Sequence, residues 1–451
     1  YDIRLSLVGS EMCIRDRGRV DPASSPACHI PRAIWCIAFH PEQVSMKDAP
    51  DTRADPTSRH HGSTREVALA FLKLGLTSFG GPIAHLGYFR SEFVVRRRWI
   101  DDGGYADLVA LCQFLPGPTS SQVGAALGFL RAGPWGALAA FAMFTLPSAI
   151  FLVAFAYSAA SFGGPLQHGA ILGLKIVAVA IVAQAVLGMA RSLCPDRERA
   201  TIAVAAVLIL ALVPGAFGQV AAIATGAGAG LLWCRSDASQ PTAPLNFGVT
   251  RAVGIGSLAL FLALLVGLPV IASASDALKV VDAFYRSGSL VFGGGHVVLP
   301  LLEAATVQTG WLSTDTFLAG YGAAQAVPGP LFSFAAYLGA LLPSMPNGLV
   351  GAAVALLAIF LPGILLLAGA MAFWDGLRSR PSAQAFMRGA NAAVVGILAT
   401  ALYDPLFTSA IVEDLSFALG LTCFVLLTAW KVAPWLVVVL GALGGVLIAA
   451  L

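Results

Sequence analysis

The sequence predicts an all-α polytopic membrane protein built from two homologous halves. Composition, long apolar segments and an internal repeat support this prediction. Of the 451 residues, 57% are hydrophobic and only 11% are charged, and the mean hydropathy is +0.80, whereas a soluble domain has about 25% charged residues. A transmembrane β-barrel would show alternating apolar and polar residues, and this chain does not. Long segments with almost no charge, enough to cross a hydrocarbon core of about 30 Å as helices, occupy 134–157, 167–190, 251–272, 348–373 and 434–451.

The N-terminal residues 1–63 differ from the rest of the chain. They are polar, rich in Pro, Ser, Asp and Arg, and lack the apolar core of a signal peptide. We expect a disordered tail here. Part of it is suspected to be an artefact, because SLVGSEMCIRDR at 6–17 resembles translated sequencing-adaptor sequence, and Met46 is the preferred start.

An internal repeat relates the two halves. FLKLGLTSFGGP at 71–82 aligns with FYRSGSLVFGGG at 284–295, and GLKIVAVAIV at 173–182 aligns with GANAAVVGIL at 389–398. At an offset of 212 residues, Trp99, Gln113 and the Pro-Gly-Pro triplet at 116–118 align with Trp311, Gln325 and the triplet at 328–330. Matches in this constant order indicate a duplication.

Each half contains six hydrophobic elements, and one further segment lies between them, so the pattern is 6+1+6. The predicted units are a first transporter repeat over 64–235, a linker with one connecting transmembrane helix over 236–277, and a second repeat over 278–451. With an even number of crossings per half and one connecting span, the second half enters the membrane from the opposite side. This predicts an inverted repeat.

Loop charges refine the topology. With a cytoplasmic N-terminus, most loop arginines lie inside and the acidic pair Glu413 and Asp414 lies outside, as the positive-inside rule requires. Arg90 and the arginines at 96–98 obey the rule only if the two broken elements of each half are re-entrant. We therefore expect nine full crossings and four re-entrant elements.

Gly and Pro break matched apolar segments in both halves. A helix-interior proline costs roughly 3 kcal/mol, and broken backbone persists in a membrane only where it is buried or lines a wet cavity. Helix packing is the alternative interpretation, since both residues are common in transmembrane helices. Matched breaks favour a central site, and we expect them to converge near the membrane midplane. The break residues are Gly80, Gly81, Pro82, Pro116, Gly117, Pro118, Gly293, Gly294, Gly295, Pro328, Gly329 and Pro330.

Half-helices that start at the breaks would direct free N–H groups and positive dipole ends into this cavity, which suits an anion. For His85 and His296, proton carriage and hydrogen-bonded packing are alternatives to anion binding. For Lys175 the alternative is snorkelling, in which the side chain extends to the membrane surface. The break residues are predicted to bind substrate together with His85, Gln113, Thr119, Ser120, Ser121, Gln122, Lys175, His296 and Gln325.

Motifs of other protein classes are missing from the sequence. It contains no GxSxG, HExxH or GxxxxGK[ST], which argues against an intramembrane hydrolase and against direct ATP drive. The seven cysteines form no CxxC, so no metal, cofactor or redox role is expected. Nothing in the composition suggests a nucleic-acid partner.

Four long motifs resemble the chromate ion transporter (CHR) family, and the resemblance runs from about residue 66 to 451. It implies a carrier in the bacterial inner membrane that expels chromate from the cytoplasm and so confers chromate resistance. It also implies that FGGP, PGP and FGGGH form the functional region. The motifs are SFGGPIAHLGYF (78–89), DLVALCQFLPGPTSSQVGAALG (107–128), FGGGHVVLPLL (292–302) and FLAGYGAAQAVPGPLFSFAAYLGA (317–340).

The substrate has an alternative within transport. Chromate is nearly isosteric with sulfate, so a sulfate or general oxyanion carrier or exchanger stays open. Outward movement of a dianion from a negative interior is favoured by about 2.3 kcal/mol per charge per 100 mV. The expected partners are an oxyanion and the lipid bilayer, with a homodimer as an open option.

Overall fold

The structure is a computed structural model that describes residues 62–161, 165–234, 247–292, 295–374 and 380–450. Within these ranges the chain forms helices and connecting turns, without strands. The predicted tail, except residues 62 and 63, lies outside the described residues. So do Gly293, Gly294 and the linker residues 236–246.

Seven α-helices lie in the described part of the first half. They are α1 (Thr64–Thr77), α2 (Gly81–Phe89), α3 (Asp102–Phe114), α4 (Thr119–Ser161), α5 (Pro165–Leu193), α6 (Arg197–Leu212) and α7 (Ala216–Trp233). A connecting helix, α8 (Arg251–Ile271), follows.

The second half repeats this order. Its helices are α9 (Asp276–Ser289), α10 (Val298–Thr306), α11 (Thr314–Ala326), α12 (Phe334–Ala340), α13 (Gly348–Met371), α14 (Pro381–Ala401), α15 (Asp414–Thr428) and α16 (Pro434–Ala450). Helix α3 and its counterpart α11 both have 13 residues. The duplication read from the sequence therefore extends to the helices.

The two broken elements of the first half fold as hairpins. The N–H of Gly62, just before α1, donates to Arg131 O at 3.0 Å. Glu66, in the first turn of α1, accepts from Trp99 Nε1 at 3.1 Å and pairs with Arg97 and Arg131. The chain therefore returns to its starting end after α2 and again near residue 131, as a re-entrant element does.

Helix α4 is two arms joined by a turn. Ala132 and Gly133 have non-helical backbone angles, with φ of −142° and 63°, so residues 119–131 form a first arm and 134–161 a second. An added Cβ on Gly128 would lie 2.4 Å from Gly136 O, because the arms turn back on each other. In the second half, Gly339 and Gly351 make the same contact between α12 and α13.

The second arm of α4 and helix α13 each run between the end of the molecule where the broken elements of one half start and the end where those of the other half start. Tyr157, near the end of α4, lies against Gly348, where α13 begins. Trp374, just after α13, donates from Nε1 to Asp107 of α3 at 3.2 Å. The two helices thus run in opposite directions between these two ends. An inverted orientation in the bilayer stays a prediction, which these contacts support.

The C-terminal helices of each half pack on the other half. Gly389 of α14 lies against Gly226 and Gly230 of α7. Its repeat counterpart, Gly173 of α5, lies against Gly441 and Gly445 of α16. Small residues let these backbones approach closely, which is how transmembrane helices associate.

Six helical stretches among the described residues are long and apolar enough to cross a membrane. The shorter apolar segments are 331–340, α15 and α16. The expected nine crossings stay a prediction, since three of the helices they need, α6, α15 and α16, have 16, 15 and 17 residues. The six stretches are 119–158, 166–193, 216–233, 251–274, 348–371 and 381–410.

Candidate functional site

The breaks of the two halves meet at one junction. Gly117 N–H donates to Val291 O at 2.7 Å, and Gly329 N–H donates to Ser78 O at 2.9 Å. Val291 and Ser78 are repeat counterparts, so the two bonds are reciprocal. An added Cβ on Gly295 would lie 3.1 Å from Pro82 Cγ. The predicted convergence is confirmed for the described break residues, while the depth of the junction in a membrane stays a prediction.

The central glycines of the Pro-Gly-Pro triplets need their backbone freedom. Gly117 and Gly329 have φ of 121° and 107°, where a side chain is strained. Gly117 lies against Gly363 and Gly329 against Ser148, each the residue after a helix-interior proline of the other half. Each triplet therefore sits on a proline-containing helix across the junction.

Gln122 braces this arrangement. Its Nε2 donates to Pro116 O and to Gly363 O, both at 3.0 Å, so one amide joins a break of the first half to α13 of the second. These two bonds use both hydrogens of the Gln122 amide, which opposes its predicted role as a donor to an oxyanion.

His85 lies fully buried between two hydrogen-bonding groups. Its Nε2 is 3.2 Å from Ser78 O and its Nδ1 is 3.4 Å from Ser120 Oγ. The ring also packs edge-on against Phe144, with centroids 5.3 Å apart. His85 is therefore positioned by the first break, by the start of α4 and by the second arm of α4.

Three hydroxyl groups on the segments that contact His85 are buried and have no hydrogen-bond partner among the described residues. They belong to Ser78, Ser121 and Thr145, whose exposed fractions are 0%, 5% and 1%. A buried hydroxyl without a partner costs about 1–3 kcal/mol. Such groups can instead hydrogen-bond to a bound polar ligand.

The polar lining comes from the first half. The repeat counterparts of Ser78, Thr119, Ser120 and Gln122 are Val291, Leu331, Phe332 and Phe334. The counterpart of Ser121 is Ser333, whose Oγ already donates to Pro330 O at 2.7 Å. The duplicated fold thus carries one copy with unpartnered hydroxyls among the described residues, and a second copy in which these positions are apolar or, at Ser333, already hydrogen-bonded.

Two helices begin at the first-half copy. Helix α2 starts at Gly81, and the first arm of α4 starts at the buried residue Thr119. The first N–H groups of a helix have no partner within it, and they carry the positive end of the helix dipole. The hydroxyls and these N–H groups are hydrogen-bond donors without a fixed cation, which is the donor chemistry that an oxyanion needs.

The remaining predicted site residues are not among the described contacts of His85. His296 Nδ1 is 2.8 Å from Tyr321 Oη, beside Gly295. Gln113 is exposed, and Gln325 is half-buried with an unpartnered Nε2. Lys175 Nζ pairs with Asp315 Oδ1 at 2.5 Å, where α11 begins rather than where it reaches its break. The structure therefore does not bring Lys175 to the junction.

Helices α2 and α10 are counterparts in the two halves, but neighbouring helices cover them to different extents. Helix α10 is buried along its length, in part by Gln219 of α7, which donates to Pro300 O at 3.0 Å. Its counterpart α2 is uncovered at Gly87 and Tyr88. The junction is therefore packed more closely on the side of the second half.

Charge separates the two ends of the molecule. The order of the helices places mainly basic residues at the end with the base of α1, where acidic partners such as Glu66, Glu92 and Asp196 pair with some of them. The basic residues are Arg96, Arg97, Arg98, Arg131, Arg197, Arg199, Arg251, Arg380 and Arg388. The opposite end, with the base of α9, carries mainly acidic ones, namely Asp276, Asp282, Glu303, Asp315, Asp404, Glu413 and Asp414.

Glu92 is buried at the basic end. Arg96 and Arg97 each donate to it from Nε at 2.7 Å. Burial raises the pKa of this carboxyl, but the hydrogen bonds and charges of Arg96 and Arg97 outweigh burial and hold the pKa below its ordinary value of 4.5. Glu92 therefore remains ionised and fixes two arginines at the mouth of the hairpins.

Sequence reasoning missed Ser78, Thr145, Ser148 and Gly363. The matched prolines Pro147 and Pro362 were a usable signal for the last two, since each precedes a residue that contacts a triplet glycine. No comparable pattern marks Ser78 or Thr145. Within the described residues, no group of three or more His, Cys, Asp or Glu side chains could hold a metal ion.

Comparison with known proteins gives the family. The sequence model of the family described as chromate transporter matches residues 65–231 and again 278–446. The chain belongs to the chromate transporter family. The two matches contain all the break segments and exclude α8, so each covers one structural half of this family member.

Several curated proteins are similar over most of their length. The chromate transport protein of Pseudomonas aeruginosa is 28% identical over 387 residues, which cover 83% of this chain and 89% of that protein. The chromate transport protein of Cupriavidus metallidurans is 27% identical and covers 88% of this chain and 97% of its own. The probable chromate transport protein of Synechococcus elongatus is 26% identical, with coverages of 85% and 95%. No solved structure matches the chain.

Proposed function

We propose that this protein carries chromate out of the cytoplasm and thereby confers chromate resistance. The observation that supports this most is the group of buried hydroxyls of Ser78, Ser121 and Thr145, which have no hydrogen-bond partner among the described residues and lie on the segments that contact His85. Four oxygens of a tetrahedral dianion can accept from such donors. The names of the relatives point to the same substrate.

The binding residues follow from this placement. Ser121 and Ser78 donate from their hydroxyls, and the first N–H groups of α2 and of the first arm of α4 donate from the backbone. Gln122 and the triplet glycines hold the two halves in register around the anion. His296, Gln113 and Gln325 lie outside this set of donors.

The charge at the two ends supports the direction. Under the positive-inside rule, the basic end faces the cytoplasm of a bacterial inner membrane. Its arginines raise the local concentration of a dianion, and the uncovered helix α2 offers the approach to the junction from that end. The acidic end repels the same anion after release.

The chemistry supports a carrier rather than an enzyme. The first-half break presents hydroxyls, backbone groups and His85, and the described contacts of His85 include no carboxylate. Hydrolytic catalysis needs a nucleophile with a base that is oriented by a third group. Binding and release of an anion need only donors.

Flux of radiolabelled chromate into inside-out vesicles tests the proposal. Vesicles from a chromate-sensitive host with the protein should accumulate label, and vesicles from the same host without it should not. Uptake that persists in excess sulfate supports a chromate exporter. Uptake abolished by sulfate favours a general oxyanion carrier, because hydroxyls and N–H groups distinguish poorly between two isosteric dianions, and absence of uptake contradicts the proposal.

A further inference from the structure

We propose that chromate binding at the junction is coupled to binding of one proton by His85, which turns the Ser120 hydroxyl toward the anion. This inference rests on the proposed function. It assigns His85 and Ser120 as a positioning pair, and it makes the affinity for chromate depend on pH.

The bonds of His85 define its neutral form. Ser78 O can only accept, so the Nε2 atom at 3.2 Å carries the hydrogen. In a neutral imidazole the other nitrogen is then an acceptor. Ser120 Oγ at 3.4 Å therefore donates to Nδ1, and its only hydrogen points at the histidine.

Protonation reverses the second bond. An imidazolium donates from both nitrogens, so Ser120 Oγ must accept from Nδ1 and its own hydrogen is released. That hydroxyl sits in the first turn of the first arm of α4, next to the unpartnered Ser121. One proton thus adds a hydrogen-bond donor and a positive charge at the place where the anion would bind.

The uncharged surroundings of His85 make its protonation depend on a bound anion. Burial disfavours the charged form, and the described contacts of the ring, from Ser78, Ser120 and Phe144, carry no charge. On α3, which flanks α2, Tyr105 donates its hydroxyl to Leu86 O. Beyond α2, Glu92 is already paired with Arg96 and Arg97. A bound dianion is then the group that stabilises the imidazolium.

Calorimetric titration of the detergent-purified full chain with chromate tests this coupling. The titration is run in two buffers of different ionisation enthalpy, at alkaline pH where chromate stays a dianion. We expect uptake of about one proton per chromate and an affinity that falls about tenfold per pH unit. Binding without proton uptake in the wild-type protein overturns the inference while leaving the proposed function intact, and absence of binding overturns both.

Variants test whether His85 is the residue that takes up the proton. His85→Gln keeps a donor for Ser78 O and cannot charge, so we expect chromate binding that is weaker, independent of pH and free of proton uptake. If this variant does not fold, His85→Asn replaces it. Ser120→Ala should retain the proton uptake but bind chromate more weakly than the wild type.

The matched control is His168→Gln, since His168 is exposed near the start of α5. It should behave as the wild type in both buffers. Proton uptake that persists in His85→Gln, or that is lost in His168→Gln, overturns the assignment.

Discussion

The backbone N–H of Gly329 donates to the carbonyl oxygen of Ser78 at 2.9 Å. That oxygen also receives Nε2 of His85. The Pro-Gly-Pro break of the second half therefore fixes the carbonyl group of Ser78, which in turn orients His85 in the first half. The reciprocal bond from Gly117 to Val291 makes each half satisfy a backbone group that the other half's break leaves free, which is what a broken helix needs inside a membrane.

Gly117→Ala should destabilise the protein and reduce chromate flux. The residue has φ of 121°, and an added Cβ would lie 3.0 Å from Gln122 Nε2 and 3.1 Å from Gly363 Cα. We expect a loss of about 1–3 kcal/mol from backbone strain, visible in thermal unfolding in detergent. Gly256→Ala is the control, because an added Cβ there meets nothing within 4 Å. Equal stability of the two variants would argue against the strained junction.

Cysteine labelling tests the unequal covering of the two halves. Gly87 of α2 and Leu299 of α10 lie in corresponding helices of the two halves, yet Gly87 is exposed and Leu299 has no exposed surface. In a background without native cysteines, a charged maleimide should label Gly87→Cys, from the same side as Arg98→Cys, and leave Leu299→Cys unlabelled. Similar labelling of both positions would contradict the uncovered approach along α2.

Glu92 should make stability depend on pH. Its pKa is below the ordinary value of 4.5, so it contributes stability that is present above about pH 4.5 and is lost as pH falls through the folded pKa. Glu92→Gln should therefore lower the melting temperature at neutral pH, and the difference from wild type should shrink in acid. Glu198→Gln changes an exposed carboxylate and should show no such trend. A difference for Glu92→Gln that is constant with pH would mean that the lost packing, rather than the charge, matters.

Lys175→Met should leave chromate affinity within about twofold of wild type. Lys175 pairs with Asp315, whose side chain is 67% exposed, so its charge is compensated at the start of α11 and does not face the break. Chromate binding measured by equilibrium dialysis checks this. A large loss of affinity in a folded variant would restore Lys175 to the binding site that the sequence predicted for it.

The sequence predicted the membrane class, the two repeats and the meeting of the breaks, because apolar length and repeated Gly-Pro motifs are local signals. It did not reveal the asymmetry of the site. Ser121 and Ser333 occupy equivalent places in similar motifs, and only the contact of Ser333 with Pro330 O distinguishes a used hydroxyl from an unused one. Lys175 was predicted from its cost in an apolar segment, and its partner lies 140 residues further along the chain, where no local pattern points to it.

Chromate affinity of Ser121→Ala and Ser333→Ala, measured side by side on the purified protein, decides whether the anion binds at the first-half break. Both variants remove one buried hydroxyl from the same position of the repeat. If Ser121 donates to the dianion, its loss weakens binding by about tenfold or more, since hydrogen bonds to charged groups contribute roughly 1.5–3 kcal/mol, while Ser333→Ala binds as the wild type does. Equal affinities, or a larger loss in Ser333→Ala, would contradict a site built from the first half.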